Sequence, residues 1–166
     1  MRPHQRRMLE AALGYAQEGW PVVLIHGIVR NRCTCRKIRC RSPGKHPITQ
    51  NGVNDATTDL KQIKMWLKEH PDANIAVATG ELSGLLVLDV DPRNGGNRTL
   101  KQIKQAHGDI PPTIMSMTGG GGRHILFAYP RFPVKKDNAG RLFGDGIDVQ
   151  SDGCYAIMPP SRHPSG

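Results

Sequence analysis

Two acidic residues one apart close an apolar run, Leu85-Leu86-Val87-Leu88-Asp89-Val90-Asp91. Successive side chains on a strand point to opposite faces, so Asp89 and Asp91 share one face while Leu88 and Val90 share the other. Two carboxylates held that close repel each other, and a strand has no structural need for them. A divalent metal or a shared proton would relieve the repulsion; a solvated strand end is the plainer alternative. Further along stand a glycine run ending in a basic pair, Thr118-Gly119-Gly120-Gly121-Gly122-Arg123-His124, and a third strand-borne acid in Gly146-Ile147-Asp148-Val149. Three carboxylates, a flexible backbone loop and an Arg-His pair are the parts needed for metal-assisted chemistry on a phosphate. For the glycine run alone, a hairpin turn is the simpler reading and does not exclude the other.

The rest of the chain is basic. Its net charge is +9 and its pI about 9.8, although the candidate site is acidic. Basic residues spread around an acidic cluster suit a polyanion held near a metal site, with simple solubility as the alternative. A length of 166 residues fits one domain, 1–166. No run is long enough to cross a bilayer, and the opening Met1-Arg2-Pro3-His4-Gln5-Arg6-Arg7 leads into a helix rather than a signal sequence. A cytoplasmic location without a membrane partner is the expectation.

Three of the four cysteines fall in one loop, Cys33-Thr34-Cys35-Arg36-Lys37-Ile38-Arg39-Cys40-Arg41-Ser42-Pro43-Gly44-Lys45-His46. In a reducing compartment disulfides are disfavoured. Clustered thiols with a nearby His then read as a tetrahedral zinc site of the three-Cys, one-His kind. The Cys-x-Cys start is tighter than the usual spacer, and incidental cysteines in a basic loop are the alternative. The surrounding Arg and Lys favour thiolate ligands. Cys154 stands alone in an expected strand and reads as core.

Periodicity places these motifs. Met8, Leu9, Ala12, Leu13 and Ala16 have helical spacing, with Gly19 as the stop. Pro21 to Ile25 reads as a buried strand entering the cysteine loop. Thr58 is the cap expected for a second helix, with Asp59 in its first turn, Leu60, Ile63, Trp66 and Leu67 on its apolar face, and Pro71 just past its end. Asn74–Ala78 and Leu85–Val90 read as strands joined by a turn at residues 80–84. A helix over Thr99–His107 follows, then strands near 113–117, 124–128, 147–150 and 154–158. Trp66 and Phe127 read as core rather than as base-stacking surfaces.

In order and spacing these segments resemble the archaeo-eukaryotic primase superfamily, and within it the primase-polymerase (Prim-Pol) N-terminal catalytic domains of plasmid, phage and mobile-element replication proteins. The likeness runs through Gly19-Trp20-Pro21-Val22, the cysteine loop to Pro47, Asn74-Ile75-Ala76-Val77-Ala78-Thr79-Gly80, Leu88-Asp89-Val90-Asp91, Gly122-Arg123-His124, Gly146-Ile147-Asp148 and Pro159-Pro160-Ser161-Arg162-His163-Pro164-Ser165-Gly166. The resemblance implies an α+β archaeo-eukaryotic primase fold. Its catalytic half is an RRM-like (RNA-recognition-motif-like) antiparallel sheet, packed with an N-terminal α/β half, and a zinc-binding loop over 33–46 is inserted. It implies that Asp89, Asp91 and Asp148 bind two catalytic Mg²⁺ or Mn²⁺ ions, that His124 contacts the incoming triphosphate, and that Cys33, Cys35, Cys40 and His46 form a zinc-binding stem. Gln150 stands where many relatives carry Arg, and the chain is expected to be truncated at its C-terminus.

The expected activity is that of a DNA primase/DNA polymerase, a nucleotidyltransferase acting by a two-metal mechanism on single-stranded or primed DNA template and nucleoside triphosphates, with a helicase domain or protein as a further partner. Arg123 joins His124 on the triphosphate, Gly122 offers close backbone approach, and Lys45 and Thr79 are candidate phosphate or template contacts. An Asp-x-Asp glycosyltransferase leaves the zinc loop and third acid unexplained, and a rolling-circle nickase needs paired His ligands that His124 does not supply. A catalytically weak, zinc-dependent single-stranded nucleic-acid-binding module is the competing reading, against which the intact acid triad stands.

Overall fold

The computed structural model describes residues 1–165; Gly166, the end of the terminal motif, lies outside the described residues. In chain order the elements are α1 (Pro3–Gln17), β1 (Val22–Ile25), β2 (Ile28–Val29), β3 (Arg32–Cys33), a 3-10 turn at Gly52–Asp55, α2 (Leu60–Glu69), β4 (Asn74–Ala78), β5 (Leu85–Val90), a second 3-10 turn at Pro92–Asn94, α3 (Gly96–His107), β6 (Met115–Met117), β7 (Arg123–Ala128), β8 (Ile147–Gln150) and β9 (Tyr155–Ile157). This is a mixed α+β chain with antiparallel sheets. It divides into two compact units, Met1–Ala78 with Tyr155–Gly166, and Thr79–Cys154.

The first unit holds a three-stranded antiparallel sheet in the order β1-β4-β9. Every residue of β1 and β4 is buried, which is why both read as unbroken apolar runs rather than alternating ones. On one side Val22 and Ile75 meet Met8, Ala12 and Ala16 of α1 and Ile63 of α2. On the other, Val23, Ile25, Ala76 and Ala78 meet Val53, Ala56 and Ile157. Helix α1 stops as expected at Gly19, whose φ of +79° lets Gly19 and Trp20 donate back to the carbonyls of Ala16 and Tyr15. Helix α2 is capped by Asp59, not Thr58. The Asp59 carboxylate accepts from the Lys61 and Gln62 amides, at 2.8 and 3.4 Å, and places negative charge at the helix N-terminus. Trp66 is half-buried rather than core; with Gln62, Thr49, Asn54 and Thr57 it lines an open groove.

One feature had no signal in the sequence. Strands β2 and β3 form a hairpin whose two turn residues, Arg30 and Asn31, both have positive φ (48° and 60°). That turn normally announces itself by Asn-Gly or Gly-Gly, and an arginine in its first position does not. A second tie joins three of the motifs. The buried Asn74 side chain donates to the carbonyls of Gly44 (3.0 Å) and Arg162 (2.8 Å) and accepts from the Arg162 amide (2.8 Å), while the Ser161 hydroxyl bridges the backbone of Ile75. The cysteine loop, the fourth strand and the terminal motif therefore meet on one buried amide.

The second unit is built on a four-stranded antiparallel sheet in the order β6-β7-β5-β8. One face packs Leu88, Val90, Ile125, Ile147 and Val149 against Leu100 of α3, with Phe127 half-buried beside them. Helix α3 starts at Gly96, ahead of the expected Thr99. Gly96 fits because its amide donates to the Asp91 carbonyl (2.9 Å) while the backbones of Asp91 and Gly146 leave no room for a Cβ. The Thr118–Gly122 turn joins β6 to β7 as the glycine run suggests. Among the described residues no helix is long and apolar enough to cross a membrane.

Candidate functional site

The register of the second sheet decides what its polar residues share. Asp89 lies directly opposite His124 on one side and Asp148 on the other, and His124 lies opposite Ser116. Residues directly opposite in a sheet project from the same face. Ser116, His124, Asp89 and Asp148 therefore form one row across all four strands, on the face away from α3. The bulky apolar residues between them in sequence point to the helix.

The row is charged and partly withdrawn from water. The His124 ring is nearly buried, with Nε2 3.6 Å from Asp89 Oδ2 and with Nδ1 buried and unpartnered. A buried ring nitrogen without a partner costs free energy unless something fills the position. Asp148 has its pKa raised, first by desolvation and then by the charges of Asp89, Asp137 and Asp91. Each of these forces disfavours a second anion beside the first, and each would be relieved by a cation.

Asp91 stands two residues on from Asp89 in backbone that is still extended (φ −99°, ψ 108°). Its backbone is pinned at both ends, the amide to the Gly146 carbonyl (2.8 Å) and the carbonyl by Gly96. Its carboxylate caps the following 3-10 turn. Oδ1 accepts from the Arg93 amide (2.9 Å) and Arg93 Nε (3.0 Å), and Oδ2 from Arg93 Nη2 (2.9 Å) and Asn94 Nδ2 (3.2 Å). The arginine fork raises its own pKa in doing so. The glycine turn lies over the same spot: a Cβ on Gly122 would sit 2.5 Å from the Val90 carbonyl, and one on Gly120 would sit 3.3 Å from the Arg93 guanidinium. Glycine is needed here for space as much as for flexibility.

The cysteine loop is gathered far more tightly. Among the described residues, the ligand atoms of Cys33, Cys35, Cys40 and His46 lie within 4.8 Å of one another, and the Cys33 and Cys40 sulfurs each stand 3.5 Å from His46 Nε2. A zinc ion with ordinary Zn–S and Zn–N bonds at a tetrahedral angle sets that S–N edge at about 3.5 Å. The geometry and the donor set both fit zinc. The Cys35 thiol is pulled below its usual pKa, chiefly by the Lys37 amide, while burial pushes Cys40 up. The His26 ring lies tilted against His46, with centroids 4.5 Å apart, and its Nδ1 is 3.0 Å from Thr34 Oγ1, which braces the ligand.

The family model for the N-terminal domain of bifunctional DNA primase/polymerases, Prim-Pol, matches residues 12–166. The chain belongs to the Prim-Pol family. No curated protein matches it. Membership implies a nucleotidyltransferase of the DNA primase/polymerase kind.

Against the Prim-Pol expectations, the sheet brings Asp89, Asp148 and His124 together and places Asp91 at the end of the same strand. It separates others. Arg123 precedes His124 in β7 and so projects from the helix-side face, where Nη2 donates to Asn97 of α3 at 2.8 Å. Strand parity puts neighbours on opposite faces, so the row that carries His124 does not carry Arg123. The Thr79 hydroxyl is buried and donates to the Ser151 carbonyl (2.7 Å), which holds a strand end. The Gly122 amide donates to Thr118 Oγ1 (3.1 Å) within its own turn. Lys45 is exposed, and its carbonyl accepts from the Tyr155 hydroxyl (3.0 Å) in the first unit.

Sequence reasoning missed three residues. Ser116 looks unremarkable until the register sets it beside His124. Arg93 lies in Asp91-Pro92-Arg93-Asn94, whose Asp-Pro start is a turn and cap signal that could have been read. Asp137 is buried beside β8, its carboxyl held below the usual range first by the Leu142 amide (2.7 Å) and also by the Ala139 amide (3.0 Å); its charge is one of those acting on Asp148.

Proposed function

We propose that the chain performs template-directed nucleotidyl transfer, synthesising or extending primers on single-stranded or primed DNA from nucleoside triphosphates. The observation that carries this reading is the single row Ser116–His124–Asp89–Asp148, with Asp91 just past the end of β5, inside a Prim-Pol chain. The antiparallel β6-β7-β5-β8 sheet with α3 on one face supports reading this unit as the RRM-like catalytic half of an archaeo-eukaryotic primase fold. The whole of 1–166 is read as one catalytic domain with its zinc loop.

Asp89, Asp91 and Asp148 would hold divalent ions, Mg²⁺ or Mn²⁺; the Asp148 carboxyl is pushed up first by burial and then by the neighbouring acids, and a bound cation would oppose the second of these. When bound, such ions lower the pKa of an attacking 3′-hydroxyl and neutralise charge on departing pyrophosphate. The protein's own groups do the rest. His124 Nε2 lies 3.6 Å from Asp89 Oδ2 on this face, which supports reading that nitrogen as the donor to triphosphate oxygens when nucleotide binds there. The narrow glycine turn lets phosphate approach the backbone beyond Asp91. Cys33, Cys35, Cys40 and His46 would bind one structural zinc and so order a loop carrying Arg32, Arg36, Lys37, Arg39, Arg41 and Lys45. Ordered, those cations serve template or an initiating nucleotide.

Extension of a labelled primer on a DNA template, with Mg²⁺ or Mn²⁺, tests the reading. Wild type should extend, and Asp89→Asn and Asp148→Asn should bind the template yet fail to extend it. Wild-type protein that binds DNA and never extends would favour the noncatalytic binding module instead.

A further inference from the structure

Asp91 is expected to bind a metal, yet in this structure its carboxylate is fully engaged by its own turn. An ionised carboxylate has about four acceptor positions, and four donors from Arg93 and Asn94 meet them at 2.9 to 3.2 Å. A divalent ion cannot add to such a group without displacing some of these donors. The backbone of Asp91 cannot yield, because its amide and carbonyl are both pinned. The side chain of Arg93 can: it is 64% exposed, against 25% for Asp91, and it reaches back across Pro92 from a surface turn. The guanidinium lies against the glycine turn, where a Cβ on Gly120 would stand 3.3 Å from Nη2.

We propose that Arg93 is an internal counter-cation for Asp91, displaced when a divalent ion binds, and that the freed guanidinium then holds the triphosphate of the incoming nucleotide. This rests on reading Asp91 as a metal ligand. The planar fork that matches a carboxylate also matches a phosphate, so one group serves both partners in turn. The Arg93 amide stays on Oδ1 throughout and keeps the carboxylate aimed while the side chain leaves. The exchange makes metal and nucleotide binding cooperative: each ligand releases what the other must otherwise displace. It also supplies a cation beside Asp91, where the fold instead turns Arg123 to Asn97.

The test is Mn²⁺ binding to the full chain, followed by electron paramagnetic resonance of the free ion, with and without a nonhydrolysable nucleoside triphosphate. Removing the competitor in Arg93→Ala should tighten Mn²⁺ binding in the absence of nucleotide by about three- to tenfold, the scale of one bidentate, part-exposed pair. Arg93→Lys, which keeps the charge but not the fork, should fall between the two. In wild type the nucleotide and Mn²⁺ should strengthen each other's binding; in Arg93→Ala that mutual gain should shrink. Mn²⁺ affinity that is unchanged or weaker in Arg93→Ala, while Asp91→Asn loses Mn²⁺, overturns the counter-cation role and leaves the acid site standing. Unchanged coupling in Arg93→Ala overturns the transfer to triphosphate. If Asp91→Asn binds Mn²⁺ as wild type does, the metal-site reading itself is wrong.

Discussion

The cysteine loop and the acid row are both expected to hold metal, and the chain prepares them in opposite ways. In the loop, four donor atoms already lie within 4.8 Å of one another, with two S–N separations of 3.5 Å. In the row, two carboxylates sit on neighbouring strands, and the third has turned onto an arginine. The physical difference is charge. Thiols and a neutral imidazole can be packed together because protons satisfy them until a metal replaces those protons. Carboxylates stay ionised at neutral pH, so they repel and must find a countercharge within the protein. A Cys/His cluster can therefore be gathered within the fold before metal binds, whereas in the acid row one carboxylate, Asp91, is provisionally neutralised by Arg93.

The sharpest way to break this comparison is to remove charge from the row. Asp89→Asn keeps the size of the side chain and should lower primer extension by roughly a hundredfold to a thousandfold, the several kcal/mol that metal stabilisation of a phosphoryl transition state supplies. Wild-type extension rates in this variant, measured with Mn²⁺, would sink the assignment. Next in size is the loop. Cys35→Ser should take bound zinc from one equivalent to near zero by elemental analysis and lower the thermal midpoint, while Mn²⁺ binding at the acids persists. Zinc absent from the wild-type protein, with its thiols titrating as free, would end the contrast altogether.

His124 offers a smaller effect that separates triphosphate from template. His124→Ala should weaken binding of a nonhydrolysable nucleotide by about tenfold to a hundredfold, the loss of one hydrogen bond to a charged group, with single-stranded DNA affinity near normal. Equal nucleotide affinity by calorimetry would remove it from the site. The smallest effect is on stability. Like charges directly opposite on a sheet cost about 0.2–1 kcal/mol, so Asp148→Asn without added metal should stabilise the fold by about that much at neutral pH. The sign has a pH signature. Because the Asp148 pKa is raised in the folded protein, wild-type stability falls as pH rises from the ordinary carboxyl range through the raised value. The variant's advantage should therefore be present above that window and vanish below it; an advantage that persists in acid would point to packing rather than charge.

Much of this was legible in the chain. The Asp-x-Asp strand, the Cys/His loop, the glycine turn and the Gly19 helix stop follow from local rules of period, spacing and backbone freedom, and each lies where those rules put it. The cap of α2 fell one residue away, on Asp59, because neighbouring Thr and Asp are both good caps and only the helix phase chooses between them. The hairpin at Arg30-Asn31 gave no sign because an arginine rarely takes a positive φ.

What the sequence determined by itself, then, was which side chains could hold a metal, since ligand chemistry and residue spacing are local properties. Tertiary structure alone decided which of them share a face. Strand register set Ser116 beside His124 and Asp148 beside Asp89, and the pairing of β7 with β5 sent Arg123 to the helix side. Those choices depend on pairing between separate strands, where a slip of one position would reverse every face.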